Sequence, residues 1–143
     1  MSIEEAGPHE LGRLGERFAA AHLRRDRMQL LERNWKHRLG EIDLIARQRD
    51  VVVFCEVKTR RSERYGGPLA AVDGEKLRRV DRLARAWLKE HCRSSQPWRV
   101  DRMGLTVADG SRIVLEHRWG IRHGLQPDQH GLHDRDDRGG RDR

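Results

Sequence analysis

Apolar residues near the N-terminus recur every three or four positions, which predicts an amphipathic helix over residues 8–26 with Pro8 in its first turn. Its apolar stripe is expected to comprise Leu11, Leu14, Phe18 and Ala21, with Ala19 and Leu23 alongside. The same spacing predicts a second helix over residues 73–92, with Asp73 as its N-cap. The stripe of this second helix comprises Leu77, Val80, Leu83, Ala84, Trp87 and Leu88. Its outer face is basic and comprises Lys76, Arg78, Arg79, Arg82, Arg85 and Lys89.

Segments rich in β-branched and aromatic residues predict strands at residues 28–31, 40–47, 51–60, 98–107 and 113–119. Gln48-Arg49-Asp50 is expected to join the second and third strands as a hairpin, and Asp109-Gly110 is a strong hairpin signal between the last two. The order α-β-β-β-α-β-β predicts an α/β domain over residues 1–124. Residues 125–143 are rich in Asp, Arg and Gly, and we expect them to form a disordered, charged tail.

The chain is basic and heavily charged, because 30 Lys and Arg oppose 23 Asp and Glu among its 143 residues and give a net charge of +7. This excess favours a polyanion, above all nucleic acid, as the partner. No apolar run approaches the roughly 20 residues that cross a bilayer, and the N-terminus lacks the basic start and apolar stretch of a signal peptide. We therefore expect a cytoplasmic protein without a membrane partner.

Cysteine and histidine give no sign of a metal site. Cys55 and Cys92 lack C-x-x-C spacing, so reduced thiols packed inside are the better interpretation. The eight histidines show no ligand spacing, and none is assigned a role.

The third predicted strand, residues 51–60, is the most hydrophobic segment of the chain, yet it contains Glu56 and Lys58. Side chains alternate across a strand, so these two residues should point to one side, and Cys55 and Val57 to the other.

The second predicted strand carries its own pair of acids. The same alternation predicts that Glu41 and Asp43 share one face of this strand, with Ile42 and Leu44 on the other. A hairpin between the two strands would then bring two or three carboxylates and an ammonium group together at one end of the sheet.

Burying such charges is costly unless they pair or hold a metal. Mg²⁺ prefers oxygen ligands and is commonly held by one or two carboxylates with waters and substrate phosphate. A metal here could neutralise charge on a phosphodiester, with Lys58 close enough to bind the phosphate or help to deprotonate a water. The alternative is an ordinary ion pair at the sheet edge. For any single residue that alternative is favoured, whereas the group as a whole favours a functional site.

Asp43, followed by Glu56-Val57-Lys58, resembles the D…E-x-K signature of the restriction-endonuclease-like nuclease superfamily. The segments G-R-L-G-E, N-W, R-L-G-E-I-D-L-I and F-C-E-V-K-T-R more closely resemble the YraN family of small bacterial proteins. These segments occupy residues 12–16, 34–35, 38–45 and 54–60, and the resemblance extends over about residues 9–121.

The resemblance implies a restriction-endonuclease-like domain with a central mixed sheet flanked by helices, similar to archaeal Holliday-junction resolvases. It also implies that Asp43 and Glu56 are ligands of Mg²⁺ or Mn²⁺, that Lys58 is the catalytic lysine, and that Glu16 is a further acidic member of the site. Ile42 stands where the superfamily often has proline. The Gln-x-x-x-Tyr element that some members of the superfamily carry is absent around Lys76. These departures remove no ligand but leave the substrate class open.

Two glutamates have alternative interpretations. From the residues alone, Glu16 would be a solvated helix residue, because most helix glutamates are exposed; the resemblance assigns it to the site. Glu41 could support the metal ligands from close by, or pair with Arg38 or Arg60.

Basic residues flank the proposed site at both ends. Lys36 and Arg38, in a predicted loop at residues 34–38, and Arg60 and Arg61 are candidates for binding the phosphates of nucleic acid. An exposed Trp35 could stack on a base, although a core position is slightly favoured. The basic face of the second helix either extends the groove or is a solvated surface.

The leading hypothesis is a Mg²⁺-dependent nuclease, with DNA favoured over RNA, though the sequence does not decide between them, and with branched or structured DNA as a candidate substrate. A non-catalytic nucleic-acid-binding protein of the same fold is the main alternative, and an adaptor protein is the third. Asp43, Glu56 and Lys58 together favour the nuclease, because a pure binder has no need of a lysine beside two buried carboxylates. Endonuclease or exonuclease action stays open, as does a homodimer that would cut two strands.

Overall fold

The computed structural model describes residues 5–61, 74–108 and 112–124. The helices are α1 (Pro8–Arg25) and α2 (Gly74–Glu90). The strands are β1 (Gln29–His37), β2 (Gly40–Gln48), β3 (Val51–Arg60), β4 (Trp98–Val107) and β5 (Ile113–Gly124). This α/β architecture and its order confirm the prediction from the sequence. The predicted N-cap Asp73, the Asp109-Gly110 turn and the tail at residues 125–143 lie outside the described residues.

The five strands form one mixed sheet in the order β1-β2-β3-β4-β5. All neighbours are antiparallel except β3 and β4, which run parallel with Glu56 opposite Arg102. A parallel pair needs a long crossover connection, and α2 lies within the segment that joins β3 to β4.

The two helices cover opposite faces of the sheet, each over its own apolar cluster. The α1-side cluster contains Ala19, Ala20 and Leu23 of α1 with Met28, Leu44, Ala46, Val53, Cys55, Met103 and Leu105. The α2-side cluster contains Val80, Leu83, Ala84, Trp87 and Leu88 of α2 with Ile42, Ile45, Val52, Phe54, Trp98 and Val100. β4 is buried along its whole length because it lies between β3 and β5 and contributes to both clusters. The predicted stripe of α2 and its exposed basic outer face are present, with Leu77 and Lys76 half-buried.

The apolar stripe of α1 differs from the prediction. Its buried residues are Leu11, Gly15, Ala19, Ala20 and Leu23. Phe18 is 43% exposed, Leu14 is half-buried and Ala21 is exposed. The reason is close packing through small residues: a Cβ atom on Gly15 would lie 1.8 Å from Oγ1 of Thr59 in β3. This contact sets the rotation of α1 on the sheet, and with it the direction of the neighbouring Glu16.

β1 is longer than predicted and includes most of the expected basic loop at residues 34–38. Two local irregularities hide it in the sequence, a register shift between Leu30 and Glu32 and a positive φ of 49° at Asn34. Both break the alternation of apolar and polar residues by which strands are recognised. Trp35 is half-buried against the α2-side cluster and stacks on the ring of His37, as the core interpretation expected.

Both cysteines are free thiols, but only Cys55 is packed inside. Cys92 is exposed because it follows the end of α2 in a left-handed turn with φ of 55°. Among the described residues, neither helix is long and apolar enough to cross a membrane.

Candidate active site

β2 and β3 separate at Asp43. The register pairs of the two strands run from the hairpin turn to Leu44↔Cys55. One residue further, Oδ2 of Asp43 accepts a hydrogen bond from the backbone N–H of Val57 at 2.8 Å. The Asp43 carboxylate thus accepts the hydrogen bond that a backbone carbonyl of β2 would otherwise accept from β3. The donor, Val57, is the residue next to Glu56.

The expected alternation of side chains holds in β3 but not in β2. Cys55 and Val57 belong to the α1 side, while Glu56 contacts α2 and β4. In β2, Ile42 packs in the α2-side cluster and Leu44 in the α1-side cluster, so the prediction that they share a face is wrong. The alternation fails at the point where the strands part, because Asp43 is drawn toward the backbone of β3 instead of onto one face.

Asp43 lies among other carboxylates. Burial raises the pKa of its carboxyl group to about 6 from 3.8, and the hydrogen bond from Val57 opposes this effect. The negative charges of Glu16, Glu56 and Glu41 contribute to this same rise. Acidic groups from α1, β2 and β3 therefore lie within electrostatic reach of one another.

Glu16 is half-buried on α1 and hydrogen-bonds to the Asn34 side chain. Burial raises the pKa of Glu16, the Asn34 hydrogen bond lowers it, and the charge of Glu41 raises it again. Glu16 is therefore half-buried and within electrostatic reach of Glu41 and Asp43 of β2, and is not the solvated surface residue that its helix position alone suggested. Its role in the site stays a prediction.

Glu56 is 15% exposed and lies between two cations. Its Oε1 is 4.0 Å from Nζ of Lys76, and its Oε2 is 3.5 Å from Nε of Arg102. Oε2 is buried and has no hydrogen-bond partner among the described residues. A buried carboxylate oxygen without a hydrogen bond suits a cation ligand, and oxygen is the donor that Mg²⁺ prefers. The residues present therefore fit a hard divalent metal.

Lys58 lies in a cluster of cations next to Glu56. Burial lowers the pKa of the Lys58 ammonium group, as do the charges of Arg60, Lys76 and Arg102, while Glu56 raises it. An amine with a lowered pKa can exchange a proton nearer to neutral pH than an ordinary lysine.

Sequence reasoning missed the part that Arg102 plays in this cluster. Arg102 is buried on β4 and meets Glu56 through the parallel pairing of β3 with β4. The available signal was weak, since the register of a parallel pair depends on a crossover that no local pattern reports. Lys76 was assigned to the basic face of α2, and its position beside Glu56 was not predicted.

The remaining predicted residues lie at the edges of the site. Glu41 is exposed and makes no ion pair with Arg38 or Arg60 in the described part of the chain, so its contribution is its charge near Asp43 and Glu16. Lys36 and Arg38 are exposed, and Lys36 pairs across the strands with Glu41. Arg61 donates a hydrogen bond to the carbonyl of Ala6, which ties the segment before α1 to the end of β3.

A cleft with about 120 Å³ of space opens beside Glu16. It is lined by Arg13, Glu16, Arg17, Arg33, Asn34 and Leu44. The three arginines were not recognised from the sequence, because they come from two elements, α1 and β1, that only the fold brings together. The cleft thus places three guanidinium groups, which are suited in general to bind phosphate, beside Glu16.

The fold and these motifs define a class of small α/β proteins, and the comparisons with known proteins give its family. The chain belongs to the family described as "Uncharacterised protein family UPF0102", whose model matches residues 15–105. This family is the YraN-like one that the sequence motifs resembled. The matched residues include Glu16, Asp43, Glu56 and Lys58.

Relatives in several bacteria match most of the chain. A UPF0102 protein of Parafrankia sp. (strain EAN1pec) is 46% identical over 110 residues, which are 77% of this chain and 93% of the relative. A UPF0102 protein of Renibacterium salmoninarum is 42% identical over 112 residues, 78% of this chain and 95% of the relative. A UPF0102 protein of Streptomyces griseus is 46% identical over 114 residues, 78% of this chain and 94% of the relative.

Proposed function

We propose that this protein is a Mg²⁺-dependent nuclease that hydrolyses phosphodiester bonds of DNA, with branched or structured DNA as its substrate class. The observation that carries the proposal is the group of carboxylates where β2 and β3 part, with a lysine of lowered pKa beside it. The D…E-x-K resemblance points to the same chemistry.

Asp43 and Glu56 would hold the metal, either Mg²⁺ or Mn²⁺. Asp43 is fixed by the Val57 N–H through Oδ2, so its Oδ1 is available as a ligand. Oε2 of Glu56 is already desolvated and lacks a hydrogen bond among the described residues. Glu16 would add a third carboxylate from α1. A bound metal would supply positive charge against the scissile phosphate and lower the pKa of a water.

Lys58 is proposed to bind the scissile phosphate or to take the proton of the attacking water. Its lowered pKa increases the fraction of neutral amine that can accept a proton. Arg60 and Lys76 beside it would offset the charge that builds on the phosphate in the transition state. The same cations keep the surroundings of Glu56 positive, which favours entry of a polyanion.

The surfaces around the site support sequence-independent binding of nucleic acid. The arginines of the cleft beside Glu16, together with Lys36 and Arg38, can contact phosphates, and such contacts give affinity and register without reading bases. DNA is preferred over RNA on the resemblance to junction resolvases. Cutting both strands of a branched DNA would require two chains, so a homodimer belongs to the proposal.

A non-catalytic nucleic-acid-binding protein is the second candidate. The observation that favours it is the exposed basic face of α2, which lies outside the carboxylate site. Its exposed members are Arg78, Arg79, Arg82, Arg85 and Lys89. This surface could hold nucleic acid without any chemistry.

Nuclease assays separate the two candidates. Purified protein is incubated with labelled linear duplex, single-stranded and four-way-junction DNA and with RNA, in Mg²⁺, in Mn²⁺ and in a chelator. Asp43→Asn and Lys58→Ala are compared with Asp50→Asn and Arg24→Ala, which remove exposed charges away from the site.

We expect metal-dependent cleavage of DNA that both site variants lose and both control variants keep. Lys58→Ala should still bind DNA, and Asp43→Asn should bind at least as tightly without metal, since it removes a negative charge. If nothing is cut in any metal while all variants bind equally, the nuclease proposal fails and the binding protein takes its place.

A further inference from the structure

We infer that this chain has a second metal site, for a borderline transition-metal ion of the Zn²⁺ class, formed by His22, Asp26 and His117. The site lies between the C-terminal end of α1 and β5, and it shares no residue with the carboxylate site. It is therefore independent of the proposed nuclease activity.

Two of the three distances among the candidate ligand atoms already match the spacing that a tetrahedral metal requires. Nε2 of His22 is 3.1 Å from Nδ1 of His117 and 3.4 Å from Oδ2 of Asp26, and the three atoms lie within 4.8 Å of one another. Zinc binds nitrogen at about 2.0–2.1 Å in tetrahedral geometry, which puts neighbouring ligand atoms about 3.3 Å apart. An ion could enter this group without a change of backbone.

α1 positions two of the three ligands. His22 is in its last turn and Asp26 is its C-cap, four residues on, so their side chains lie one above the other on the same side of the helix. The third ligand comes from β5, which is 95 residues away from His22 in sequence. The metal would tie the end of the helix to the edge strand.

A buried carboxylate orients the third ligand. Nε2 of His117 is 2.9 Å from Oδ2 of Asp101, whose side chain is fully buried. Because a carboxylate only accepts, Nε2 carries the proton, and Nδ1 presents its lone pair toward His22 and Asp26. Histidines that bind metals usually donate their other N–H to a carboxylate or carbonyl in this way.

Asp101 is itself held firmly. Its two oxygens accept hydrogen bonds from the guanidinium of Arg99 at 2.9 and 3.3 Å, and Oδ1 also accepts from the Gly120 N–H at 2.8 Å. The ring of His117 therefore has one orientation and one tautomer before any metal arrives, which lowers the cost of binding.

A hydrogen bond between the two rings accounts for only part of this geometry. The His22 Nε2–H could donate to Nδ1 of His117, but the same nitrogen also faces the Asp26 carboxylate, so one proton would serve two acceptors. A cation at the centre satisfies all three atoms.

The donor set and the exposure of the site define the kind of ion. Two imidazoles and one carboxylate suit Zn²⁺, Co²⁺ or Ni²⁺ better than Mg²⁺, which prefers oxygen. The His22 and Asp26 side chains are 30% and 37% exposed, so the site can be reached from solvent. Three protein ligands leave a fourth position for water.

The test uses the full chain after removal of metals with a chelator. Zn²⁺ binding is measured by calorimetry and by the Tm at increasing Zn²⁺ concentration, and Co²⁺ binding by the visible absorption of a four-coordinate complex. We expect one Zn²⁺ per chain and a Tm that rises with its concentration, because a ligand that binds only the folded state stabilises it. In Asp43→Asn, which lacks one of the carboxylates proposed to hold Mg²⁺, Zn²⁺ should still raise the Tm and Mg²⁺ at the same concentration should raise it less.

The variants are His22→Ala and Asp26→Asn, with His9→Ala as the control because His9 is an exposed histidine on the same helix. Each site variant should weaken Zn²⁺ binding at least tenfold and lose the Co²⁺ absorption, and His9→Ala should keep both. Asp26→Asn preserves the size of the side chain, so Zn²⁺ binding can still be tested with this variant if His22→Ala folds poorly. Asp43→Asn should bind Zn²⁺ normally, which separates this site from the nuclease site. Absence of Zn²⁺ binding by the wild type, or binding by His22→Ala and Asp26→Asn that is as tight as that of the wild type, would overturn the inference.

Discussion

Asp43 and Val57 are joined across the gap between β2 and β3 by a 2.8 Å hydrogen bond from the Val57 backbone N–H to the Asp43 carboxylate. This contact holds Asp43 against the strand that carries Glu56 and Lys58, at the point where the register pairs of the two strands end. The strand separation is therefore the feature that builds the candidate site, because it allows the carboxylate of Asp43 to lie against β3 beside Glu56.

The raised pKa of Asp43 predicts a pH dependence of stability without metal. Between 3.8 and about 6 the folded protein keeps a proton that the unfolded chain releases, so the free energy of unfolding should fall as the pH rises through this range. Asp43→Asn should remove this loss and stabilise the metal-free protein near neutral pH by roughly 1–3 kcal/mol. Urea unfolding in a chelator at several pH values measures this effect.

Bound Mg²⁺ should reduce or reverse the difference in stability between the wild type and Asp43→Asn. Mg²⁺ relieves the repulsion among the carboxylates, so it should stabilise the wild type more than Asp43→Asn at neutral pH. An Asp43→Asn protein that is less stable than the wild type at every pH would show that Asp43 is not destabilising when charged.

Gly15→Ala tests the contact that positions Glu16. The new Cβ would meet Thr59 at 1.8 Å from Oγ1 and 3.0 Å from Cβ, so α1 would have to move away from β3. We expect a loss of stability of about 1–3 kcal/mol, the usual cost of overpacking, and a weaker metal-dependent activity because Glu16 moves with the helix.

Gly12→Ala is the matched control, since its Cβ would meet nothing within 4 Å. It should stabilise the helix by about 0.5–1 kcal/mol. Equal effects of the two substitutions in urea unfolding would mean that the Gly15–Thr59 contact does not set the position of α1.

The buried Asp101 should be a strong contributor to stability. Burial favours its neutral form, but hydrogen bonds from His117, Arg99 and Gly120 outweigh burial and lower its pKa. Its contribution should be present above the ordinary value of 3.8 and should be lost as the pH falls through the lower, folded value.

Removing this carboxylate leaves the buried guanidinium of Arg99 and the Nε2–H of His117 without their carboxylate partner. We therefore expect Asp101→Ala to lose about 3–5 kcal/mol in denaturant unfolding, whereas Asp50→Ala, at an exposed turn, should change little. A loss under about 1 kcal/mol for Asp101→Ala would contradict the structure of this network.

DNA binding should depend steeply on salt. Each phosphate that the protein neutralises contributes a slope of about 0.9 to the logarithmic dependence of affinity on salt. Replacing Arg13 or Arg33, which line the cleft beside Glu16, with alanine should lower this slope by about one contact. Fluorescence anisotropy over a range of salt concentrations measures it, and affinity that is indifferent to salt would exclude nucleic acid as the partner.

Local patterns predicted those parts of the fold that depend on residues close in sequence. The stripe of α2 and the bounds of β3 and β4 followed from strongly apolar, regularly spaced residues. The stripe of α1 was predicted only in part, since Leu11, Ala19 and Leu23 are buried as expected whereas Leu14, Phe18 and Ala21 are not. The helix packs closely through Gly15, whose small size against Thr59 a pattern of apolar residues does not register. β1 was cut short because a register shift and the positive φ at Asn34 interrupt its pattern.

The residues of the candidate site likewise divide into those that local motifs predicted and those that only the fold brings together. Asp43, Glu56 and Lys58 could be named from two neighbouring strands and a motif, whereas Glu16 required the family resemblance. Arg102 could not be found, because it meets Glu56 only through the parallel register of β3 and β4. His22 and His117 likewise lie on two elements that are far apart in sequence, so no local spacing could predict that they meet.

The most direct test of the account is the rate of DNA cleavage as a function of Mg²⁺ concentration, for the wild type and for Glu56→Gln. Gln keeps the size of the side chain but removes the charge that would hold the metal. The account predicts that wild-type cleavage rises with Mg²⁺ to saturation and stops in a chelator. It also predicts that Glu56→Gln lowers the rate on the order of 100-fold or more, as loss of transition-state stabilisation typically does, and needs more Mg²⁺. Cleavage that Glu56→Gln and the chelator leave unchanged, or wild-type protein that cuts no DNA in Mg²⁺ or Mn²⁺, would contradict it.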